Sequence, residues 1–249
     1  MSGSPAQKVM IAYEVPEADA SWELEEENVP ESAWHDAVIE LLKLIFRAWA
    51  ERAALDSLIA SHLALRWNPE LWKVGVDPDV AVYLPAPPEG EDTASVCTWE
   101  PGHHPPRVAV EVVSRSTATK DYVTKPDQYA ASGTTELWVF DPKLHGPRVH
   151  GGPFLLQVWR RDESGTFCQL YRGDGPCRSP ELGAWLVVTD GDTRLRLADD
   201  RDGQHLWPTP AERERAERER EREQASERAA SLEAELAAMR DELARLRGG

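Results

Sequence analysis

Two short apolar strings each carry one carboxylate at a position where a buried strand normally has a hydrophobic side chain. The strings are VDPDVAVYL (residues 76–84), which contains Asp79, and RVAVEVVS (residues 107–114), which contains Glu111. A buried carboxylate is costly unless a cation or hydrogen bonds compensate its charge. If the two strands are neighbours, Asp79 and Glu111 can converge on one hard, oxygen-binding metal such as Mg²⁺.

A metal held by these two carboxylates could do hydrolytic chemistry on a phosphate. It could polarise the phosphate and lower the pKa of a bound water enough to generate hydroxide near neutral pH. Such a site gains from a lysine that orients the water or stabilises the developing negative charge. Both Lys120 and Lys125 follow Glu111 closely enough in the sequence to supply that amine.

Each of these residues also has an ordinary structural explanation. An aspartate after a proline at a strand edge, as at Asp79, often hydrogen-bonds to its own backbone. Glu111 could instead form an ion pair with Arg107 or with a lysine. Ser114 could contact a phosphate, or it could cap the turn that follows its strand. The sequence leaves these alternatives open.

Two helices are predicted to flank the strands. Residues 34–55 carry apolar side chains at three- and four-residue spacing, which predicts a helix packed on a core and capped by Ser32. Residues 121–133 predict a short helix, with Pro126 in its first turn and Gly133 at its C-terminal end. This second helix carries Lys125.

Alternating apolar residues and turn signals predict the strands. They lie at residues 62–67, 79–84, 107–113 and 137–140, followed by antiparallel pairs within 154–171 and 185–197. The order is therefore helix, three strands, helix, strand and then antiparallel strands. That order predicts an α/β (α+β) domain built on a mixed sheet.

A long loop is predicted at residues 85–106, which are rich in Pro, Gly and charge. It contains His103 and His104. No cysteine or second histidine pair lies nearby at the spacing of zinc ligands, so we predict that both are surface histidines.

The C-terminal segment has a different character. From Ala211 the sequence consists largely of Glu and Arg, and apolar residues then recur at steps of four and three, at Leu232, Leu236, Met239, Leu243 and Leu246. This is the a/d pattern of a coiled coil, which predicts a homodimer formed through residues 211–249. The alternative is a solvated helix that docks on its own domain.

Composition restricts the class of protein. The 249 residues are 41% hydrophobic, which suffices for a folded core, and no apolar run is long enough to span a membrane. The three cysteines form no CxxC pair, which favours a reducing, cytoplasmic location. The net charge is −16, and residues 11–31 contain eight acidic residues and no basic one. A solvated acidic face explains this run, and the alternative is contact with a basic partner or mimicry of phosphates.

An ordered set of short motifs resembles the Uma-two family of restriction endonucleases, within the PD-(D/E)XK nuclease superfamily. The resemblance covers about residues 20–200. The motifs are Asp77-Pro78-Asp79, Glu111-Val112-Val113-Ser114, Asp121 with Lys125 and Tyr129, Gly133, and ELWVFDP at residues 136–142.

The resemblance implies a restriction-endonuclease-like αβββαβ core and Mg²⁺-dependent hydrolysis of phosphodiester bonds in DNA, with Mn²⁺ as a substitute ion. It implies that Asp79 and Glu111 bind the metal, together with the main-chain carbonyl of Val112. The superfamily lysine normally lies two residues after the acid on the same strand, where this chain has Val113. The resemblance implies that Lys125, on the following helix, takes its place.

Three further residues are auxiliary site candidates on the same basis. A histidine at the start of the long first helix is typical of the family and matches His35, and Ser114 and Asp121 belong to the matching motifs. The resulting domain organisation is an N-terminal extension (residues 1–20), a nuclease-like domain (residues 21–205) and the coiled coil (residues 211–249).

Two functions are therefore compared. The first is a Mg²⁺-dependent DNA endonuclease that acts as a dimer. The second is a catalytically inactive nuclease-fold module that binds or assembles through its coiled coil. The second is favoured by the acidity of the chain, since duplex binding normally uses Lys and Arg, and by Val113.

Overall fold

The computed structural model describes residues 33–148 and 151–247. Contacts divide the chain into two compact units, the first ending at Trp207 and the second beginning at Pro208. The predicted N-terminal extension (residues 1–20), the acidic run (residues 11–31) and the Ser32 cap lie outside the described residues.

The described part of the first unit contains two α-helices and eleven strands. Helix α1 spans Ala33–Arg52 and helix α2 spans Lys125–Ser132. The strands are β1 Leu58–Ala60, β2 Leu65–Arg66, β3 Val80–Tyr83, β4 Val96–Cys97, β5 Val108–Val112, β6 Glu136–Phe140, β7 Leu156–Arg161, β8 Phe167–Gly173, β9 Cys177–Ser179, β10 Ala184–Thr189 and β11 Arg194–Ala198.

A six-stranded mixed sheet forms the centre of this unit. Its strand order is β1-β3-β5-β6-β7-β8; β5 and β6 are parallel, and the other neighbours are antiparallel. Helix α2 provides the crossover between the parallel strands, as parallel pairing requires. Strands β9, β10 and β11 form a separate antiparallel sheet, and β2 pairs with β4. The predicted αβββαβ core, mixed sheet and additional antiparallel strands are confirmed.

The two faces of the central sheet pack against different helices, because neighbouring side chains on each strand point in opposite directions. On one face, Val80 and Val110 belong to the same apolar cluster as Leu42 and Phe46 of α1. On the other face, Ala81, Tyr83, Ala109 and Val139 belong to a cluster that includes Tyr129 and Ala130 of α2. Asp79 and Glu111 have the side-chain direction of this second set.

The region between α1 and β3 differs from the prediction. The strand predicted at residues 62–67 is reduced to β2, and the edge strand β1, which was not predicted, lies before it. Strand β1 has only three residues, too few to show a periodic pattern. The predicted loop at residues 85–106 contains β4, which pairs in parallel with β2 and so ties the loop to the domain.

The second unit contains helix α3, Pro210–Arg247. Its start is a capping box: the Thr209 backbone N–H donates to Glu212 Oε2 at 2.7 Å, and the Glu212 N–H donates to Thr209 Oγ1 at 3.2 Å. Within the described ranges, each helix is too short or too polar to cross a membrane.

Candidate active site

Asp79 and Glu111 lie at matching positions on paired strands. In the antiparallel pair of β3 and β5, Val80 is opposite Val110. Continuing this register by one residue sets Asp79, directly before β3, opposite Glu111. Opposite residues of an antiparallel pair point to the same face, with Cβ atoms about 5 Å apart. Strand register therefore brings the two carboxylates together.

Glu111 is fully buried, with no exposed surface, and two side chains from α2 compensate its carboxylate. The Lys125 ammonium donates to Oε2 at 2.6 Å, and the Tyr129 hydroxyl donates to Oε1. Lys125 and Tyr129 are four residues apart, so they lie on the same face of the helix. The ion pair with a lysine, which was one of the structural alternatives, is therefore present.

The local sequence explains why α2 presents these residues. Pro126 lies in the first turn of α2, where its missing N–H costs nothing. Gly133 ends the helix with φ +88°, a left-handed conformation that glycine adopts without strain. The predicted stop at Gly133 and the place of Pro126 in the first turn are confirmed, but the α-helix begins at Lys125 and not at residue 121, because Lys120–Thr124 form a π-helical turn. Lys120, the other candidate amine, is exposed to solvent in the turn before the helix.

Asp79 is 7% exposed and contacts two elements. The backbone N–H of Val112 donates to Asp79 Oδ2 at 2.6 Å, and His35 Nε2 lies 3.3 Å from the same oxygen. The same imidazole nitrogen lies 2.7 Å from the carbonyl oxygen of Val112, to which it can donate. One ring nitrogen from the first turn of α1 thus contacts both Asp79 and Val112.

A third carboxylate completes the cluster. Asp121 is buried; its Oδ1 lies 2.9 Å from the Lys125 ammonium, and its Oδ2 accepts a hydrogen bond from Thr117 at 2.6 Å. Ser114 is hydrogen-bonded to Thr117 through its hydroxyl, and it also accepts the backbone N–H of Thr117 at 3.3 Å. The turn-capping contact that its sequence position allowed is therefore present.

Burial and charge act in opposition on the ionisable groups. Burial raises the pKa of Glu111 well above its usual value; Lys125 opposes this rise, and the charges of Asp79 and Asp121 add to it. Burial alone would lower the pKa of Lys125, but the three surrounding carboxylates outweigh it and raise that pKa. Burial would likewise raise the pKa of Asp79, but the His35 hydrogen bond and the Lys125 charge lower it overall.

The donor set suits a hard divalent ion. Two carboxylates and the Val112 carbonyl are oxygen ligands of the kind that Mg²⁺ prefers, and three acidic groups outnumber the neighbouring lysine and histidine. Their present partners are hydrogen-bond donors, namely His35 at both Asp79 and the Val112 carbonyl, and Lys125 and Tyr129 at Glu111. Within residues 33–148 and 151–247, no group of three or more His, Cys, Asp or Glu side chains has the arrangement of a metal centre.

Sequence reasoning missed two contacts at this site. The direct hydrogen bond from Tyr129 to Glu111 was not predicted, although the four-residue spacing from Lys125 could have indicated it. The Val112 N–H to Asp79 bond depends on strand register, which the sequence does not give.

The prediction that His103 is a surface residue is wrong. Its ring is buried, accepts the Cys97 N–H at 3.1 Å and lies 2.9 Å from Glu89. Both contact residues belong to the predicted loop itself, and Cys97 lies on β4. His104 is exposed, as predicted.

The part of the chain that contains this site matches a known protein family. The family Uma2, described as "Putative restriction endonuclease", matches residues 15–152, which is more than half of the chain. The chain belongs to the Uma2 family. The family resemblance inferred from the motifs is thereby confirmed, and the match includes Asp79, Glu111 and Lys125.

Solved structures provide a second comparison. One similar structure is that of "a putative nuclease belonging to DUF820 from Anabaena variabilis ATCC 29413", with 15% sequence identity and a TM-score of 0.42. The alignment covers 62% of the Uma2 chain and 76% of that chain. No curated protein matches this sequence.

Proposed function

We propose that this Uma2 protein is an endonuclease that hydrolyses phosphodiester bonds in DNA with the help of Mg²⁺, for which Mn²⁺ can substitute. One observation carries the proposal: the buried side chains of Asp79, Glu111 and Lys125 lie close together at one end of β3 and β5. Membership of the Uma2 family, whose description is "Putative restriction endonuclease", also supports it.

In this proposal, Asp79, Glu111 and the Val112 carbonyl hold the ion. A divalent ion bound there would polarise the phosphate and lower the pKa of a water molecule. Lys125 keeps its proton because three carboxylates surround it, so its ammonium can stabilise negative charge that develops on the phosphate. Its place on α2 explains how the site can lack the usual strand lysine, because the amine approaches Glu111 from the neighbouring helix.

The supporting residues act through the ligands. Tyr129 holds one oxygen of Glu111, which restricts the rotation of that carboxylate. His35 and the Val112 N–H hold Asp79, and Asp121 holds Lys125 beside Glu111. These residues are positioning residues in the proposed site.

DNA cleavage tests the proposal. Purified protein with Mg²⁺ or Mn²⁺ is expected to nick supercoiled DNA, and Glu111→Gln is expected to abolish nicking while the chain remains folded. Glu136→Gln is the matched control, because Glu136 is also a buried strand glutamate but contacts Ser179 and Trp138. Absence of cleavage at every metal concentration, or equal cleavage by Glu111→Gln, would reject the proposal.

A second function has its own support. Lys125 already neutralises Glu111, and Val113 is buried in an apolar cluster at the usual lysine position. These contacts would also stabilise an inactive nuclease fold that serves for binding or assembly. Such a protein would bind no divalent ion, whereas the endonuclease must bind one.

We also propose that the protein is a homodimer formed through residues 211–249 and that it works in the cytoplasm. The five apolar residues of the heptad pattern are about half exposed or more on α3, from 50% at Leu236 to 74% at Leu246. Cys97, Cys168 and Cys177 are all free and buried, which suits a reducing compartment.

A further inference from the structure

The apolar residues in the C-terminal half of α3 form one stripe, which is exposed among the residues that the structure describes. Leu232, Leu236, Met239, Leu243 and Leu246 are each at least 50% exposed. Steps of four and three residues assign Leu236 and Leu243 to position a of a heptad, and Leu232, Met239 and Leu246 to position d. Such a stripe is buried when a second helix packs along it.

Charges beside the stripe discriminate between the possible arrangements. With this assignment, Arg228 and Glu235 occupy position g, and Glu233 and Arg240 occupy position e. In a parallel, in-register pair of helices, a residue at g faces the residue five positions later, at e, on the other helix. Arg228 then faces Glu233 of the partner subunit, and Glu235 faces Arg240 of the partner subunit. Both pairs are opposite in charge.

An antiparallel pair would have less favourable charges. It brings g positions of the two chains together and e positions together, so its charge pairs are mixed: Glu235 and Glu242 are alike, whereas Glu233 and Arg240 are opposite. Like charges at these flanking positions oppose association. Charge therefore favours a partner helix that runs in the same direction.

The N-terminal part of the same helix does not continue the seam. Extending the heptads backward assigns Arg215, Arg218 and Arg222 to positions a and d. In a parallel, in-register pair these three arginines would each face their own copy, so the helices should pair only from about Ala225 onward. Residues 211–224 contain six Glu and five Arg, so this stretch is not a basic DNA-binding region.

We infer that two copies of this chain associate through a parallel, in-register, two-stranded coiled coil that spans residues 225–246. This inference rests on the proposed homodimer and is independent of the proposed hydrolysis. Its consequence is that both globular units are joined to the same end of the paired segment, each through an unpaired polar stretch of α3. That stretch of 15 residues, from Pro210 to Gln224, is about 22 Å long.

Charge reversal in the full-length protein tests the direction of the helices. Glu235→Arg and Arg240→Glu are each expected to raise the dimer dissociation constant about tenfold at low salt, because each creates two like-charge pairs per dimer. The double variant E235R/R240E is expected to restore the dissociation constant to within about threefold of the original, since the pairs are opposite again. Glu227→Arg, at the outward position f, is the matched control and is expected to change nothing.

Analytical ultracentrifugation measures these dissociation constants, and a cross-link gives an independent readout. Ala229 at position a lies opposite its own copy in the parallel pair, so Ala229→Cys is expected to form a disulfide-linked dimer on mild oxidation. The unsubstituted chain, whose three cysteines are buried, is expected not to cross-link.

Three outcomes would overturn the inference. A chain that remains monomeric at high concentration would reject it together with the homodimer. A dimer that Glu235→Arg strengthens, or one in which Ala229→Cys fails to cross-link, would reject the parallel direction alone. If none of the charge reversals changes the dimer dissociation constant, the interface lies outside residues 225–246. None of these results bears on metal binding, which is measured separately.

Discussion

Glu111 depends on its neighbours more than any other residue of the proposed site, because it is buried completely and has two carboxylates nearby. Lys125 and Tyr129 each donate to one of its oxygens. The sequence could predict the carboxylate and a choice of two lysines. Residue spacing alone left Lys120 and Lys125 open, and only the family resemblance favoured Lys125, because the register of the helix determines which amine reaches the strand.

Tyr129 is expected to matter for both stability and metal binding. Tyr129→Phe removes a donor from a buried carboxylate, which should lower the free energy of unfolding by about 1–3 kcal/mol. Urea denaturation measures the change. Tyr83→Phe is the matched control, because the Tyr83 hydroxyl is buried with no hydrogen-bond partner among the described residues. Equal losses in the two variants would contradict the role given to Tyr129.

Glu136 is expected to make stability depend on pH. Burial raises the pKa of Glu136 to about 7 from 4.5, against the opposing effect of its hydrogen bonds with Ser179 and Trp138. A carboxyl whose pKa is raised by folding contributes stability below the unfolded value, and that contribution is lost as the pH rises through the folded value. The free energy of unfolding should therefore fall by about 3 kcal/mol between pH 4.5 and pH 7 on account of this group.

The variant Glu136→Gln isolates that effect, because the amide does not ionise. The difference in unfolding free energy between the original chain and this variant is expected to change across the pH interval and to level off above it. A difference that stays constant from pH 4.5 to pH 8 would show that Glu136 does not titrate in the folded protein.

Among the elements, α2 and the β3–β5 pair determine the geometry of the site. The apolar strands and the short helix with its proline and glycine could be predicted, because period-two patterns and turn residues are local signals. Strand β1, the β2–β4 pair and the burial of His103 could not, because each depends on contacts between distant short segments. The contact of His35 with Val112, 77 residues away, is of the same kind.

Gly133 is expected to be the most sensitive point of α2. A Cβ at this position would lie 3.0 Å from Pro105 Cγ, and φ is +88°. Gly133→Ala should therefore cost about 1–2 kcal/mol from backbone strain, with an added cost from this contact. Gly165→Ala is the control, since φ is +86° there and nothing lies within 4 Å. Gly133→Ala should have the lower thermal unfolding midpoint of the two variants. The reverse order would contradict the close approach of Pro105 to residue 133.

On the scale of the whole molecule, the chain consists of a globular unit with the candidate site and a separate helical unit. The boundary could be predicted from composition, because the sequence changes from mixed to almost purely Glu and Arg near Ala211. The interacting partner of the apolar stripe could not be read from the stripe alone. The proposal of a second, parallel copy rests on the charges that flank the stripe.

Removal of residues 208–249 is expected to separate assembly from metal binding. The shortened chain should sediment as a monomer, because the heptad stripe is gone, yet bind Mn²⁺ with unchanged affinity, because Asp79, Glu111 and Lys125 all belong to the first unit. Sedimentation velocity and calorimetry measure the two properties. A dimer that survives the truncation would contradict the assembly proposal.

The central claim is that Asp79 and Glu111 together hold a divalent ion, and calorimetric titration of Mn²⁺ into the purified chain tests it most directly. We expect one ion per chain, with affinity reduced at least tenfold by Glu111→Gln and unchanged by Glu136→Gln. Absence of Mn²⁺ binding to the unsubstituted protein, or equal binding by Glu111→Gln, would contradict the account.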